Sequence, residues 1–311
     1  MIQTERLPYS PETIARAARL IADGQPVAVP TETVYGLAAD ATQGEAVATI
    51  YAAKGRPSFN PLIVHVPDLT AAQALADLPE PAIRLANAFW PGPLTMVAPL
   101  RAGAPIAALT TAGLATVALR VPAHPAMRDL LAACGRPLAA PSANASGTIS
   151  PTSADHVLRS LGGRIPLVID GGACAVGLES TIVAVEADRL RLLRPGPITP
   201  EQLAAAAGLP IAGSGSDKLE APGQMLQHYA PAKPLRLNAI DAAPDEWLIG
   251  FGAVAGNASL SADGDLIEAA ARLFGLLHAA DAGPAERIAV APIPDRGLGL
   301  AINDRLKRAA A

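Results

Sequence analysis

The sequence predicts an α/β protein built on a mixed sheet. Short β-rich runs bounded by Pro or Gly alternate with helical patterns, which is typical of parallel strands joined by helices. Residues 181–186 and 189–194 are also predicted to form a hairpin that turns at Ala187-Asp188. Because a hairpin joins antiparallel strands, the sheet is expected to be mixed rather than purely parallel.

The first helix is predicted from its capping sequence. Ser10 can cap the free amides, Pro11 suits the first helical position, and Glu12 favours the positive end of the helix. Apolar residues recur at helical spacing as far as Ile21, and Gly24 ends the pattern. Further helices are predicted over residues 44–53, 81–89 and 125–133, and strands over residues 26–29, 62–66, 94–100, 116–121 and 167–169.

Length and composition divide the chain into three parts. The 311 residues correspond to about two domains. Residues 210–234 are rich in Gly, Ser and Pro, which is typical of a linker. We therefore predict a first domain over residues 1–209 and a small Rossmann-like α/β domain over residues 235–311. In the small domain, strands are predicted over residues 235–240, 247–251 and 287–291, and helices over residues 266–280 and 300–310.

Charge and aromatic content disfavour a protein that coats nucleic acid. The formal net charge is −4 and only 3% of residues are aromatic, so neither phosphate neutralisation nor base stacking is favoured. A local cationic pocket stays possible. The N-terminus lacks the pattern of an export signal, and no run of about 20 strongly apolar residues occurs, so a cytoplasmic location and no membrane are expected. Cys134 and Cys174 have no partners at metal-ligand spacing, so no metal-binding residues and no disulfide are predicted.

Lys54 and Arg56 form a conspicuous cationic pair, because Lys54 is the only lysine before the predicted linker. The two side chains stand two positions apart in a loop that Pro57 and Pro61 stiffen. Held in that way, they can clamp a polyphosphate through charge-assisted hydrogen bonds. A basic helix end that complements the helix dipole explains the same residues without a ligand.

Other polar residues stand within or directly after apolar runs. Ser142 and Asn144 follow one such run and Thr33 follows another, at strand ends where ligands of α/β sheets gather. Arg120 interrupts an apolar strand, and its charge requires a partner, which can be a substrate carboxylate or an internal Asp. His65 also lies within a predicted strand, where a satisfied core histidine is the ordinary interpretation.

Eight segments of the chain occur in a characteristic order. They are Thr31-Glu-Thr-Val-Tyr-Gly-Leu37, Lys54-x-Arg-Pro, Asn60-Pro-Leu-Ile-Val-His65, Trp90-Pro-Gly-Pro-Leu-Thr95, Arg120-Val-Pro, Pro141-Ser-Ala-Asn144, Glu179-Ser-Thr181 and Arg194-Pro-Gly196. Together they closely resemble the threonylcarbamoyl-AMP synthase family, whose fold is a twisted mixed-sheet YrdC-like domain. The later segment Ala221-Pro-Gly-Gln-Met-Leu-Gln-His-Tyr-Ala-Pro231, followed by a small α/β domain, resembles the long, two-domain form of that family.

The resemblance implies an enzyme, a nucleotidyltransferase that uses L-threonine, bicarbonate and ATP. Threonine captures bicarbonate on its amine, and the carbamate attacks the α-phosphate of ATP, which gives threonylcarbamoyl-AMP and pyrophosphate. Mg²⁺ carried on the ATP phosphates is the implied cofactor. The implied partners are downstream transferase proteins that pass the threonylcarbamoyl group to adenosine 37 of tRNA. No stable nucleic-acid binding by this chain is expected.

The same resemblance assigns residues to each substrate. Threonine would be held by Thr33, His65, Arg120, Ala140 and Ser180. ATP would be held by Lys54, Arg56, Asn60, Thr116, Ser142, Asn144, Ser150, Arg194 and Tyr229. Lys54, Arg56 and Ser142 are expected to act in catalysis by neutralising the phosphates.

Tyr229 is also predicted to fold over the nucleotide as a lid, because it lies in a linker that must cross between the domains. The preceding Gln224-Met-Leu-Gln227 departs from the more basic stretch that the resemblance predicts there.

Two other classes of function are compatible with parts of the sequence. One is an RNA-binding module, which the acidic composition disfavours. The other is a hydrolase or carbamoyl-transfer enzyme with Ser142 as nucleophile and His65 as base, which requires the two side chains within roughly 3 Å of each other.

Overall fold

Two sheets with helices packed around them make up the described part of the chain. The structure is a computed structural model that describes residues 2–212, 220–221 and 228–311. The larger sheet has eleven strands: β1 (Glu5–Pro8), β2 (Val27–Pro30), β3 (Tyr35–Asp40), β4 (Ile63–His65), β5 (Leu94–Pro99), β6 (Thr116–Arg120), β7 (Leu138–Ala139), β8 (Leu167–Asp170), β9 (Thr181–Val185), β10 (Leu190–Arg194) and β11 (Ile211–Ala212).

This sheet contains both parallel and antiparallel pairs, which confirms the predicted mixed α/β class. The strand order is β1-β8-β2-β3-β7-β4-β6-β5-β9-β10-β11. β4 pairs with β6 in parallel, whereas β5 pairs with β6 antiparallel. The predicted hairpin is the antiparallel pair β9 and β10, with a register irregularity between Leu192 and Arg194.

Helices cover the larger sheet and begin where the sequence supplies caps. The first helix is capped as predicted, because the Ser10 hydroxyl accepts a hydrogen bond from the Thr13 amide at 3.2 Å. Its buried face packs with the fifth helix over β2 and β8 in one apolar core. The helices are α1 (Pro11–Ala22), α2 (Gly44–Lys54), α3 (Leu69–Leu75), α4 (Glu80–Phe89), α5 (Pro125–Cys134), α6 (Ala154–Leu161) and α7 (Pro200–Ala207).

The smaller sheet is wholly parallel and belongs to the C-terminal part of the chain. Its strands β12 (Leu235–Arg236), β13 (Glu246–Gly250), β14 (Ala258–Ser259) and β15 (Arg287–Val290) lie in the order β12-β15-β13-β14. Helices α8 (Leu266–Ala282) and α9 (Leu298–Ala309) accompany them. The predicted strand over residues 235–240 is wrong in length, because Asn238 adopts a φ of 56°, which is incompatible with extended backbone.

The predicted linker is described only in part. Its first residues form β11 beside β10, so the larger sheet extends beyond residue 209. The Gly- and Ser-rich stretch at residues 213–217 and the segment Gln224–Gln227 lie outside the described residues. Among the described residues, no helix is both long and apolar enough to cross a membrane.

The two parts of the chain touch through backbone at Gly177. A Cβ atom at this position would lie 2.5 Å from the Cα and carbonyl oxygen of Ala271 in α8. Gly177 also has a φ of +71°, which side-chain-bearing residues rarely adopt. A glycine is therefore required here by both backbone conformation and the closeness of α8.

We expect Gly177→Ala to lower the free energy of unfolding more than Gly172→Ala does. Both glycines have positive φ, but a Cβ atom at Gly172 would meet nothing within 4 Å. The additional loss at Gly177 should be about 1–3 kcal/mol, the usual effect of overpacking. Urea unfolding of the two variants measures the difference, and equal losses would show that the contact with α8 tolerates a methyl group.

Candidate functional site

One row of residues crosses five neighbouring strands of the larger sheet, and three of its members, His65, Arg120 and Arg194, line a cavity. His65, at the end of β4, pairs in register with Arg120 at the end of β6. The pairing of Met96 with Leu119 brings Thr95 of β5 beside Arg120. Thr95 pairs with Ile182 of β9, and Ile182 pairs with Arg194 at the end of β10. Because paired residues share one face of a sheet, these side chains stand on the same side.

The cavity collects nine of the residues that the sequence analysis assigned to substrates. Its volume is about 40 Å³. The predicted residues that line it are Thr33, Arg56, His65, Arg120, Ala140, Ser142, Ser180, Arg194 and Tyr229. Residues predicted for threonine and residues predicted for ATP therefore border one space.

Lys54 lies behind the cavity wall instead of lining it. Its ammonium donates hydrogen bonds to the carbonyl oxygens of Ser142 at 2.6 Å and Asn144 at 2.5 Å. Burial, together with the nearby Arg56, holds the pKa of Lys54 well below its usual value. In this arrangement Lys54 fixes the loop that carries Ser142.

Arg56 is fixed by the loop that follows it. Its guanidinium donates to the carbonyl oxygens of Asn60 at 3.2 Å and Pro61 at 2.9 Å. Asn60 itself is buried and does not line the cavity. Burial lowers the pKa of Arg56 to about 10. The loop thus holds a guanidinium at the cavity through main-chain acceptors.

Thr116, Asn144 and Ser150 also lie outside the cavity lining. Thr116 begins β6, four residues and roughly 13 Å from Arg120 along the strand. The parallel register places it near Pro61, hence near the loop of Arg56. The Asn144 amide nitrogen donates to the Thr148 carbonyl, whereas its buried side-chain oxygen has no partner in the described part of the chain. Ser150 donates its hydroxyl hydrogen bond to Glu179.

Arg120 has an internal carboxylate partner that the sequence analysis did not identify. Its Nη2 donates to Glu32 at 2.6 Å and its Nε donates to the Gly92 carbonyl at 3.2 Å. Burial raises the pKa of Glu32, but the Arg120 charge together with the hydrogen bonds that the carboxylate accepts outweighs burial and leaves that pKa below its usual value. Nη1 of Arg120 has no hydrogen-bond partner within the described residues, so the guanidinium keeps a donor for a further acceptor.

His65 is a neutral side chain with unused polar atoms. Burial, reinforced by Arg120, lowers its pKa to about 3. Both ring nitrogens are buried and lack a hydrogen-bond partner in the described residues. The hydrolase alternative required a hydrogen bond between His65 and Ser142, which is absent from this part of the chain. Two unpaired ring nitrogens in a cavity instead suit a polar ligand.

The described linker residues close the cavity. His228 and Tyr229 line it, and Tyr229 is almost completely buried with a φ of 66°. Ala221 is fully buried in one cluster with Ile63 and Ala118, on the same sheet face. The cavity of about 40 Å³ is far below the roughly 300–1,000 Å³ of ordinary ligand pockets, so a nucleotide would have to displace this cover.

Glu179 and His228 are cavity residues to which the sequence analysis gave no role. Burial raises the pKa of Glu179, but Arg305 and Arg194 outweigh it and keep the pKa below its usual value. Burial lowers the pKa of His228 to about 3, so its ring is neutral. Both residues belong to sequence segments that carry the family resemblance, but only the fold shows that they border this cavity.

Two family models cover nearly the whole chain. Residues 19–196 match the model described as telomere recombination, which groups Sua5, YciO and YrdC proteins. Residues 198–311 match the model described as the C-terminal domain of threonylcarbamoyl-AMP synthase. The resemblance inferred from the sequence motifs is therefore confirmed at the level of the family.

Full-length relatives carry the same name. A threonylcarbamoyl-AMP synthase of Bacillus subtilis is 40% identical over 331 residues, which cover 99% of this chain and 95% of the relative. One of Pyrococcus abyssi is 39% identical and covers 94% of this chain and 93% of the relative. The crystal structure of P. abyssi Sua5 complexed with L-threonine superposes with a TM-score of 0.88 at 36% identity, covering 100% of this chain and 97% of that one.

We expect the free energy of unfolding to fall as the pH drops from about 6.5 to about 5, because unfolded histidines titrate near 6.5. His65 and His228 have folded pKa values of about 3, so only the unfolded state gains protons in this range. Above about pH 6.5 the two histidines are neutral in both states, and they cause no loss of stability there. Below that pH, each histidine can lower the free energy of unfolding by up to about 1.4 kcal/mol per pH unit.

Urea unfolding at several pH values measures this slope. The paired carboxylates Glu32 and Glu179 stay ionised in this window, because their pKa values lie below the usual one. His65→Gln should reduce the slope, and an unchanged slope would show that His65 is not held neutral.

Proposed function

This chain belongs to the two-domain threonylcarbamoyl-AMP synthase family, and we propose that it is an L-threonylcarbamoyladenylate synthase. The observation that carries the proposal is the convergence of Arg56, Arg120 and Arg194 with neutral hydrogen-bond donors on one cavity. Such a set suits a polyphosphate beside a small amino acid, since cations neutralise both phosphates and a carboxylate. The proposed substrates are L-threonine, bicarbonate and ATP.

The proposed reaction requires placement of the reactants more than a strong base. The threonine amine and bicarbonate form a carbamate with loss of water. A carbamate oxygen then attacks the α-phosphorus of ATP. The bond between the α-phosphorus and the oxygen that bridges it to the β-phosphate breaks, and pyrophosphate leaves. In-line displacement at phosphorus is accelerated mainly by alignment and by neutralisation of charge, which buried guanidinium groups and hydroxyls supply.

At the nucleotide end, Arg56, Arg194 and Ser142 are the proposed phosphate ligands. Lys54 is proposed to act from behind, through its charge and through the two carbonyls that it holds. Arg194 is oriented by the Ser180 carbonyl and hydroxyl, which its guanidinium contacts at 3.0–3.1 Å. Asn60, Thr116, Asn144 and Ser150 stay predictions of the resemblance as ATP ligands.

The proposed metal ion comes with the nucleotide. The carboxylates Glu32 and Glu179 are already paired with arginines. No group of three or more potential metal-ligating side chains occurs in the part of the chain that the structure describes. Mg²⁺ can nevertheless be carried by ATP phosphates while it keeps several of its waters.

At the other end of the cavity, Arg120 is the proposed ligand of the threonine carboxylate. Its free Nη1 supports this role, since Gly92 accepts from Nε and Glu32 accepts from Nη2. His65 and the hydroxyls of Thr33 and Ser180 are proposed to bind the remaining polar atoms of threonine. The complex of P. abyssi Sua5 with L-threonine supports the choice of amino acid.

Tyr229 is the proposed cover of the bound nucleotide. It already occupies the cavity beside His228, with which its ring stacks at a centroid distance of 4.1 Å. Withdrawal of this pair would make room for ATP, and its return would exclude water from the reactants. The proposed product is a mixed anhydride, which downstream transferase proteins would consume to modify adenosine 37 of tRNA.

We expect pyrophosphate release only when ATP, bicarbonate and L-threonine are all present. In the proposed site, Arg120 binds the substrate carboxylate and several hydroxyls bind its other polar atoms. Such a site should reject amino acids that lack the threonine hydroxyl. A coupled pyrophosphate assay with each amino acid in turn measures this specificity, with serine and valine as the closest comparisons. Equal turnover with several amino acids, or release without any, would contradict the proposed function.

We expect Lys54→Ala to reduce pyrophosphate release at least about a hundredfold, since the loop of Ser142 would lose its anchor and a displacement of about 1 Å can have that effect. Lys307→Ala, in the exposed last turn of α9, is the matched control and should behave like wild type. Circular dichroism verifies that both variants fold. Wild-type turnover by folded Lys54→Ala would remove Lys54 from the mechanism.

A further inference from the structure

The last helix of the C-terminal domain carries a buried arginine that reaches the candidate site. Arg305 lies in α9 and is 0% exposed. Its Nε donates to Glu179 at 2.7 Å and its Nη2 donates to the Pro195 carbonyl at 2.9 Å. Both acceptors belong to the first domain. Arg305 is therefore a direct polar connection between the two domains.

Two of the residues that Arg305 contacts line the cavity. Glu179 is one of them, and its second carboxylate oxygen accepts the hydrogen bond of Ser150. Tyr229 is the other, and the Arg305 guanidinium carbon lies 5.2 Å from the centre of its ring. This distance is typical of a cation–π contact. Arg305 thus holds both a wall residue and a cover residue of the cavity.

Glu179 is an unusual group to find where phosphates are proposed to bind. It is a buried carboxylate, and its negative charge would repel a triphosphate unless a cation compensates it. Arg305 provides that compensation through a direct ion pair. The charged or titratable groups around Glu179 are Arg305 and Asp304 of α9, Arg194 of β10, and His228 and Tyr229 of the linker.

We propose that Arg305 is a positioning residue through which the docked C-terminal domain makes the site able to bind ATP. It does so by neutralising Glu179 at the wall of the cavity. This inference rests on the proposed function for the identity of the nucleotide. A purely structural role would instead make Arg305 a bridge between domains, with no influence on the charge of the site.

The test is direct binding of Mg²⁺-ATP, measured by titration calorimetry without threonine or bicarbonate. At about pH 8, Arg305→Met should raise the ATP dissociation constant at least about tenfold, because Glu179 is left uncompensated. Arg305→Lys keeps the charge and should retain most of the affinity. Lys307→Met, two residues along the same helix and exposed, is the matched control.

The pH dependence separates the charge role from a structural one. Without Arg305, the pKa of Glu179 should rise, since burial remains and the main opposing cation is gone. The Arg305→Met defect should then shrink as the pH is lowered from about 8 to about 6, because a protonated Glu179 no longer repels phosphates. Wild type should not gain affinity in this way.

The double variant Glu179→Gln/Arg305→Met completes the test. It contains neither buried charge, so it should fold even if Arg305→Met does not, and it should bind ATP more tightly than Arg305→Met with little dependence on pH. A double variant as weak as Arg305→Met, or an Arg305→Met variant that binds like wild type, would overturn the inference. Wild-type protein that binds ATP but needs no threonine for turnover would overturn the proposed function alone.

Discussion

Arg56, Arg120, Arg194 and Arg305 are all buried around one small cavity, and each is held by a carbonyl or a carboxylate. A buried guanidinium without such acceptors would be strongly unfavourable. The loops that supply these carbonyls are therefore as important to the site as the charged residues. Among the described residues, three carboxylates pair with these four arginines, namely Glu32, Glu179 and Asp304, so positive charge is in excess where an anion is proposed to bind.

The register of β4 and β6 gives the site its length. One end of this parallel pair carries His65 and Arg120, and the other end lies at Thr116 and the loop of Asn60. Two subsites can therefore be laid out along a pair of rigid strands, with Ile63 and Ala118 between them. Rigid strands hold such a spacing better than loops can.

Local sequence signals predicted much of the fold. The Ser10 cap, the hairpin of β9 and β10 and most strands of the first domain follow from capping, turn and alternation patterns. Helices α3, α6 and α7, each of seven or eight residues, were missed, although Ser153 and Thr199 provide N-terminal caps for α6 and α7.

The ion pairs of the site could not be predicted from the sequence. Glu32 and Arg120 are separated by 88 residues, and Glu179 and Arg305 by 126, so no local pattern connects them. Only the tertiary packing shows which acid meets which base. The motifs identified many residues of the cavity. The fold shows which of them only position others, as Lys54 does when it donates hydrogen bonds to the loop of Ser142.

The contact between Gly177 and α8 limits how the cavity can open. The main chain at Gly177 packs against the main chain of α8 without room for a methyl group. At this point the two domains are therefore in contact through backbone atoms, which cannot change conformation as side chains can. A rigid-body rotation of the whole C-terminal domain would have to break the contact between Gly177 and α8. The Tyr229 segment is fastened to the first domain by the Ala230 amide, which donates to the Gly147 carbonyl at 2.8 Å. If the cavity opens by displacement of the proposed cover, His228 and Tyr229 therefore have to move while the two domains stay docked.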